Sequence, residues 1–294
     1  MKNIFKKIKE IKKRIVKVEE TDIKYQIGNY LILLPLSHKL PEYQSSFKNY
    51  DKKLKYIIQV VENHKKNGVV IDIGANVGDT TAYIRSFSNS KIYCIEGDAF
   101  YLEYLKKNVK IIPDVEIVDA YIAGRKPFGD FCVQRSNGTA KLSCLNVTEN
   151  GELLKMITLQ DMINDCGITP KSIELIKIDT DGFDFDILLA NKEYIAIHKP
   201  ALYFEYDISF NCDDASESIE LIDFLQSIGY SFIVYDNFGN LLTVVYENAT
   251  EVFTQLNHYL FSCRENGGGI YYFDVFTSIN EDIVDLIQEK DNFE

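Results

Sequence analysis

The sequence predicts an α/β fold, a doubly wound, mostly parallel sheet with helices on both faces, and three observations predict it. Apolar β-type runs at 69–73, 91–95, 115–118, 173–178 and 201–205 alternate with helical stretches at 79–88, 98–109, 158–165, 183–191 and 214–228. These runs are apolar throughout, the pattern of strands buried on both faces of a parallel sheet. Two more strand-like runs, 230–235 and 270–276, follow a similar rhythm and bring the count to seven.

Taken in order, the chain opens on a basic stretch. Residues 1–17 hold Lys2, Lys6, Lys7, Lys9, Lys12, Lys13, Arg14 and Lys17 against one acid, Glu10. Ile4, Ile8, Ile11, Ile15 and Val18 recur at helical spacing on one face. Residues 1–18 therefore read as a basic amphipathic helix. Such a helix packs on the body or on a second copy in a homodimer, or lies on an anionic membrane surface as a peripheral contact. Residues 21–47 read as short extended pieces punctuated by Pro35 and Pro41, and residues 49–66 as a helix. The regular alternation starts at Gly68, so residues 1–66 form an N-terminal helix and cap segment before the main domain, 67–294. Within that domain, residues 127–145 interrupt the pattern as a hairpin around Asn137-Gly138, a type I′ turn signal.

Composition narrows the function. No run of 18 apolar residues exists, so no spanning helix is expected. The six cysteines lack any C-x-x-C pair, which argues for reduced thiols in a cytoplasmic protein and against a zinc site. The net charge is −12 in spite of the basic start. A body that acidic repels nucleic acid, whose binding needs a basic stripe.

The segment Val69–Thr81, VVIDIGANVGDTT, carries the chemistry. A buried strand ends at Asp72-Ile73, and the chain turns through Gly74-Ala75-Asn76-Val77-Gly78 into a helix starting near Asp79. Open α/β sheets bind ligands at the carboxyl ends of such strands. The spacing is wrong for the dinucleotide fingerprint, and no lysine follows Gly78 as a P-loop requires. The turn is flanked by the acids Asp72 and Asp79, which suits a ligand that is not a polyphosphate. Glu96 closes the next strand, 22 residues after Gly74, where an acid can accept hydrogen bonds from both ribose hydroxyls.

With D-I-G-A-N-V-G-D-T-T followed by C-I-E-G, the chain resembles the class I S-adenosylmethionine-dependent methyltransferases, and specifically the FkbM family. Met156-Ile157-Thr158-Leu159-Gln160-Asp161 resembles that family's T-L-D-x-L segment. Lys177-Ile178-Asp179-Thr180-Asp181-Gly182-Phe183-Asp184 resembles its K-I-D-x-E-G-x-E motif, with aspartates in place of both glutamates. Tyr235 to Asn240, Tyr272 to Phe276, and the segment Asn29 to Asp51 resemble the closing strands and substrate segment of members found in glycan clusters.

The resemblance implies a Rossmann-like, seven-stranded sheet whose last strand is antiparallel. It also implies a cofactor, S-adenosylmethionine, held by Asp72, Gly74, Ala75, Asn76, Gly78, Asp79, Thr80, Glu96, Gly97, Asp119, Ala120 and Asp179. The reaction it implies is methyl transfer to a hydroxyl of a sugar or nucleotide-sugar in surface polysaccharide biosynthesis. Methylation of nitrogen or a phosphoryl oxygen, and a silent fold that only binds a partner, are the rival readings. An alcohol needs a base within hydrogen-bond reach. The candidates are Asp179, Asp181, Asp184, Glu205 and His38, with Asp181 and Asp184 also able to carry a divalent cation. No metal is predicted. Asp184 has a plainer reading as a helix-start acid.

Overall fold

The first structure after the basic terminus is a hairpin of β1 (Ile23–Ile27) and β2 (Tyr30–Leu34), followed by two helices, α1 (Leu40–Ser46) and α2 (Lys53–His64). This computed structural model describes residues 22–65, 68–125, 131–136, 139–144, 154–210 and 215–292. The expected basic helix at 1–18 and the Asn137-Gly138 turn lie outside the described residues. Then come β3 (Val69–Ile73), α3 (Asp79–Arg85), β4 (Lys91–Glu96), α4 (Ala99–Asn108), β5 (Val115–Asp119) and β6 (Tyr121–Ile122). The hairpin strands β7 (Phe131–Ser136) and β8 (Thr139–Cys144) precede β9 (Met156–Ile157), α5 (Leu159–Asp165) and β10 (Ile173–Ile178). The chain continues through α6 (Asp184–Ala190), α7 (Lys192–His198), β11 (Ala201–Tyr206) and α8 (Ser216–Ser227). It ends with β12 (Ser231–Asp236), β13 (Leu241–Val245), α9 (Ala249–Glu265), β14 (Phe273–Ser278) and α10 (Glu281–Asn292).

The main sheet runs β13-β12-β14-β11-β10-β3-β4-β5. Its pairs from β5 to β11 are parallel. The last strand in the chain, β14, is antiparallel to both β11 and β12. Seven strands match the expected count, and an eighth, β13, extends the β12 edge. The signal for β13 was weak, because LLTVV is short and only half buried at the sheet edge. What makes it a strand is the turn before it. Asp236 accepts backbone N–H groups from Phe238 and Asn240 at 2.9 and 2.8 Å, folding β13 back onto β12.

The central strands are buried because helices cover both faces. On one face Met162 and Ile163 of α5, Leu188 of α6, Leu221 and Leu225 of α8, and Phe253 of α9 pack on the sheet. On the other, α2 repeats apolar residues at helical spacing, Leu54, Ile57, Ile58 and Val61, and packs beside Ile84, Leu105 and Val284. Each such side chain, fully buried, contributes about 1.5–3 kcal/mol. The N-terminal hairpin is tied to this body by Asn108 at the end of α4. Its amide donates to the carbonyls of Leu33 and Val77 and accepts from Leu33 N–H, at 2.8–2.9 Å. One side chain thus links the hairpin to the turn that follows β3.

Candidate active site

The turn after β3 is built by backbone that only glycine accepts easily. Gly74 and Gly78 have φ of +78° and +85°, and Asn76 joins them at +50°. The N–H groups of Gly74 and Ala75 both donate to the carbonyl of Ile95, each at 3.0 Å. Asp179 N–H donates to Ile73 at 3.1 Å, so the ends of β3 and β10 are drawn together. A Cβ on Gly74 would stand 1.9 Å from the Asp179 carbonyl oxygen.

Glu96 holds the next edge. Its Oε2 accepts Asn76 N–H at 2.8 Å and its Oε1 accepts Asp98 N–H at 2.6 Å. Asp98 in turn caps α4 through Phe100 and Tyr101 N–H. A carboxylate has about four acceptor positions, and the backbone donors of Asn76, Gly97 and Asp98 do not fill them all. Burial raises the Glu96 carboxyl to about 7, against the opposing pull of those backbone donors.

These elements line a first cavity. Of the expected cofactor residues, Gly74, Asn76, Glu96, Gly97, Ala120 and Asp179 line it. The other six do not. Asp72 is fully buried and turned away, bonded by the Thr81 hydroxyl at 2.9 Å and by Lys177 at 3.2 Å. Ala75 is packed in the core, and Gly78 is the cap of α3 beside Leu105. Asp119 points to solvent, where Lys106 lies at 3.7 Å, and its neighbour Ala120 takes the place in the wall. Asp79 and Thr80 face a different cavity. Sequence reasoning missed Tyr101, Tyr121, Phe183 and Asp186, which also line the first cavity. Only the third dimension brings these four to one place.

The second cavity is larger and shares Gly74, Asn76, Asp179 and Asp181 with the first. Asp179 therefore stands at the junction of the two. His38, Asp79, Thr80, Asp181 and Glu205, all singled out from sequence, line the second cavity. Tyr43, Phe47, Asp51, Lys177, Phe238, Tyr272 and Asp274 also line it; the sequence named them only as parts of resembling segments, with no role of their own. A lysine inside a strand buried on both faces, and an aspartate inside YYFDVF, were signals available for two of them.

The electrostatics are dominated by carboxylates. Burial, with Asp79 and Asp179 nearby, raises Asp51 to about 8. Burial raises Glu205 and Asp274 well above the usual carboxylate range, each with Asp179 adding to the effect. Asp79 is also raised by burial, with His38 and Lys177 opposing. Lys177 sits among them, 4% exposed, 3.2 Å from Asp72 and 3.4 Å from Asp179. Burial works against its charge, but Asp72 and Asp179 outweigh this and hold it protonated.

Asp184 requires a correction. Its Oδ2 accepts Thr180 N–H at 3.1 Å and the Thr180 hydroxyl at 2.8 Å, and its Oδ1 accepts Glu205 N–H at 3.3 Å. It faces neither of the two cavities. Those bonds leave it a positioning residue that locks the 179–183 loop to β11, in place of a base or metal ligand. Among the described residues no group of three or more His, Cys, Asp and Glu is arranged to hold a metal ion.

Residues 72–232, more than half of the chain, match the sequence profile of the methyltransferase FkbM domain. The chain belongs to that family. A search of curated proteins finds no match. Among solved structures, the methyltransferase domain of METTL16 shares 10% identity over 86% of this chain and 75% of that one, with a TM-score of 0.47. TYW2 of M. jannaschii in complex with AdoMet shares 11% identity over 90% and 88%, with a TM-score of 0.41. Precorrin-6y C5,15-methyltransferase of Geobacter metallireducens GS-15 shares 10% over 77% and 87%, with a TM-score of 0.38.

This FkbM chain is an S-adenosylmethionine-dependent methyltransferase, and the residues of the first cavity fit that cofactor. Glu96 suits the ribose hydroxyls, Ile95 and Ile122 supply apolar wall for the base, and Asp179 suits the cationic sulfonium. Glu96→Gln is expected to weaken S-adenosylhomocysteine by roughly 10- to 100-fold at pH 8, the worth of a hydrogen bond to a charged acceptor. The pH dependence has a definite sign. Hydroxyl donors favour the ionised carboxylate, so wild-type affinity falls as pH drops below about 7, where free Glu96 takes up its proton. Isothermal titration between pH 5.5 and 8.5 checks both, and a slope shared equally by Glu96→Gln would remove Glu96 as its source.

Proposed function

We propose that this enzyme transfers a methyl group to a hydroxyl of a sugar or nucleotide-sugar, in the cytoplasm, during assembly of surface polysaccharide. The observation that carries this reading is the second cavity, which meets the cofactor cavity at Asp179 and mixes aromatic faces with hydrogen-bond acceptors. Aromatic rings pack on the apolar face of a sugar ring, while carboxylates accept its hydroxyl protons. Among the described residues no helix is long and apolar enough to cross a membrane.

The cofactor supplies an electrophilic methyl group on a sulfonium, so the protein's task is chiefly alignment. Asp179, at the junction, accepts the proton of the attacking hydroxyl. Lys177 holds its carboxylate from below at 3.4 Å. His38 has a different part. Its Nδ1 accepts Leu40 N–H at 3.3 Å, which leaves Nε2 to carry the ring proton and donate to an acceptor oxygen. Incubating the enzyme and cofactor with a panel of sugars and nucleotide-sugars, then locating the new methyl by mass spectrometry, tests the proposal. O-methylation of a sugar carbon position is expected. A product methylated on nitrogen or on a phosphoryl oxygen overturns it.

A further inference from the structure

S-adenosylmethionine carries two arms on its sulfonium, an adenosyl group and an amino-acid chain that ends in an ammonium and a carboxylate. The first cavity suits the adenosyl arm through Glu96, Ile95 and Ile122, and Asp179 at the junction suits the sulfonium. With the adenosyl arm there, the second cavity is open to the amino-acid arm. Gly74 and Asn76 belong to both cavities, and Asp79, Thr80 and His38 continue the lining into the second.

A carboxylate at that end needs hydrogen-bond donors, and the turn after β3 has spent most of its own. Gly74 and Ala75 N–H donate to the Ile95 carbonyl at 3.0 Å each, and Gly78 N–H donates to Ala75 at 2.8 Å. Asn76 N–H donates to Glu96 at 2.8 Å. The lysine of the cavity, Lys177, is held by Asp72 and Asp179.

His38 is placed differently. Its Nδ1 accepts Leu40 N–H, so the neutral ring carries its proton on Nε2. Nε2 is buried and finds no hydrogen-bond partner among the described residues, on a side chain that lines the second cavity. A buried donor without a partner is costly, and one on a cavity wall is satisfied by what enters. The ring also lies at the correct end. Burial raises the Asp79 carboxyl and His38 opposes it, so the imidazole stands near the first residue of α3, just past the turn.

We propose that His38 binds the carboxylate of the cofactor's amino-acid arm through Nε2–H. A hydrogen bond to a charged acceptor away from bulk water is among the stronger kinds. The cofactor is then gripped from outside the strand-turn-helix motif, by the segment before α1. That segment continues into Tyr43 and Phe47, which wall the same cavity, so one stretch of chain serves both cofactor and acceptor. His38 keeps this role whatever the acceptor is.

The test titrates the full chain with S-adenosylhomocysteine, with its decarboxylated analogue S-adenosyl-3-thiopropylamine, and with 5′-methylthioadenosine, which lacks the amino-acid arm. In the wild type, loss of the carboxylate should weaken binding about tenfold or more. His38→Ala, and His38→Phe, which keeps a ring without nitrogens, should each bring the ratio of the first two ligands towards one. Their affinity for 5′-methylthioadenosine, the check on folding, should stay at the wild-type value. Glu96→Gln, on the adenosyl side, should instead weaken all three ligands alike. A wild-type ratio near one, a ratio unchanged in the His38 variants, or an equal loss for all three ligands in those variants overturns the proposal.

Discussion

Lys177→Met is expected to destabilise the protein by about 3–5 kcal/mol and to abolish measurable methyl transfer. The size follows from what the lysine leaves behind. Asp72 is 0% exposed and Lys177 4% exposed, so neither charge can fall back on water. They are direct neighbours across the β3–β10 register, with Thr81 as the other partner of Asp72. Methionine keeps much of the volume but strands a carboxylate in the core. Part of the lost stability is expected back in the double variant Lys177→Met/Asp72→Leu, because a buried pair replaced by apolar residues is often neutral. Activity is not expected back, because Asp179 has lost the cation that holds it at the junction. Urea midpoints and a methyl-transfer assay on the two variants check this. If the single variant unfolds at the wild-type midpoint, the pair is not supporting the sheet.

Why the sequence gives Glu96 a role but leaves Lys177 only the first letter of a motif shows where legibility ends. Gly74, Asn76, Glu96 and Gly97 sit within two strand-to-helix turns whose geometry depends on nearby residues, so a family motif read along the chain names residues that also share one cavity. Asp72 and Asp119 carried the same chemical signature but point the wrong way. Strand alternation turns Asp72 inward to Lys177, and Asp119, opposite Glu96 in register, faces Lys106 and solvent. Asp184 had the composition of a catalytic acid, and only the placement of Thr180 and Glu205 N–H beside it reveals a positioning role. The second cavity was the least legible feature. Its wall joins residues from the forties, the end of β10, β11, the β12–β13 turn and the start of β14. No local pattern relates such distant segments; β14 brings its acid to the site by lying antiparallel between β11 and β12, with Asp274 opposite Glu205.

Gly74→Ala is expected to eliminate S-adenosylhomocysteine binding while leaving most of the helix and strand content intact. Two penalties combine at this position. The backbone at φ +78° costs a residue with a Cβ about 1–3 kcal/mol. The new methyl group would also stand 1.9 Å from the Asp179 carbonyl oxygen. That oxygen cannot swing aside like a long side chain, because Asp179 N–H is bonded to Ile73 at 3.1 Å. Relief must come from parting the ends of β3 and β10, which displaces Asn76 from Glu96 and widens the junction where the two cavities meet. Gly167→Ala separates the two penalties. Gly167 has φ +63°, but a Cβ there meets nothing within 4 Å, so it carries backbone strain without collision. Its variant should lose about 1–3 kcal/mol of stability and bind S-adenosylhomocysteine as the wild type does. Circular dichroism and isothermal titration on both variants decide the matter. Equal binding by the two would mean that the close approach of the β3 turn to the end of β10 does not shape the cofactor cavity.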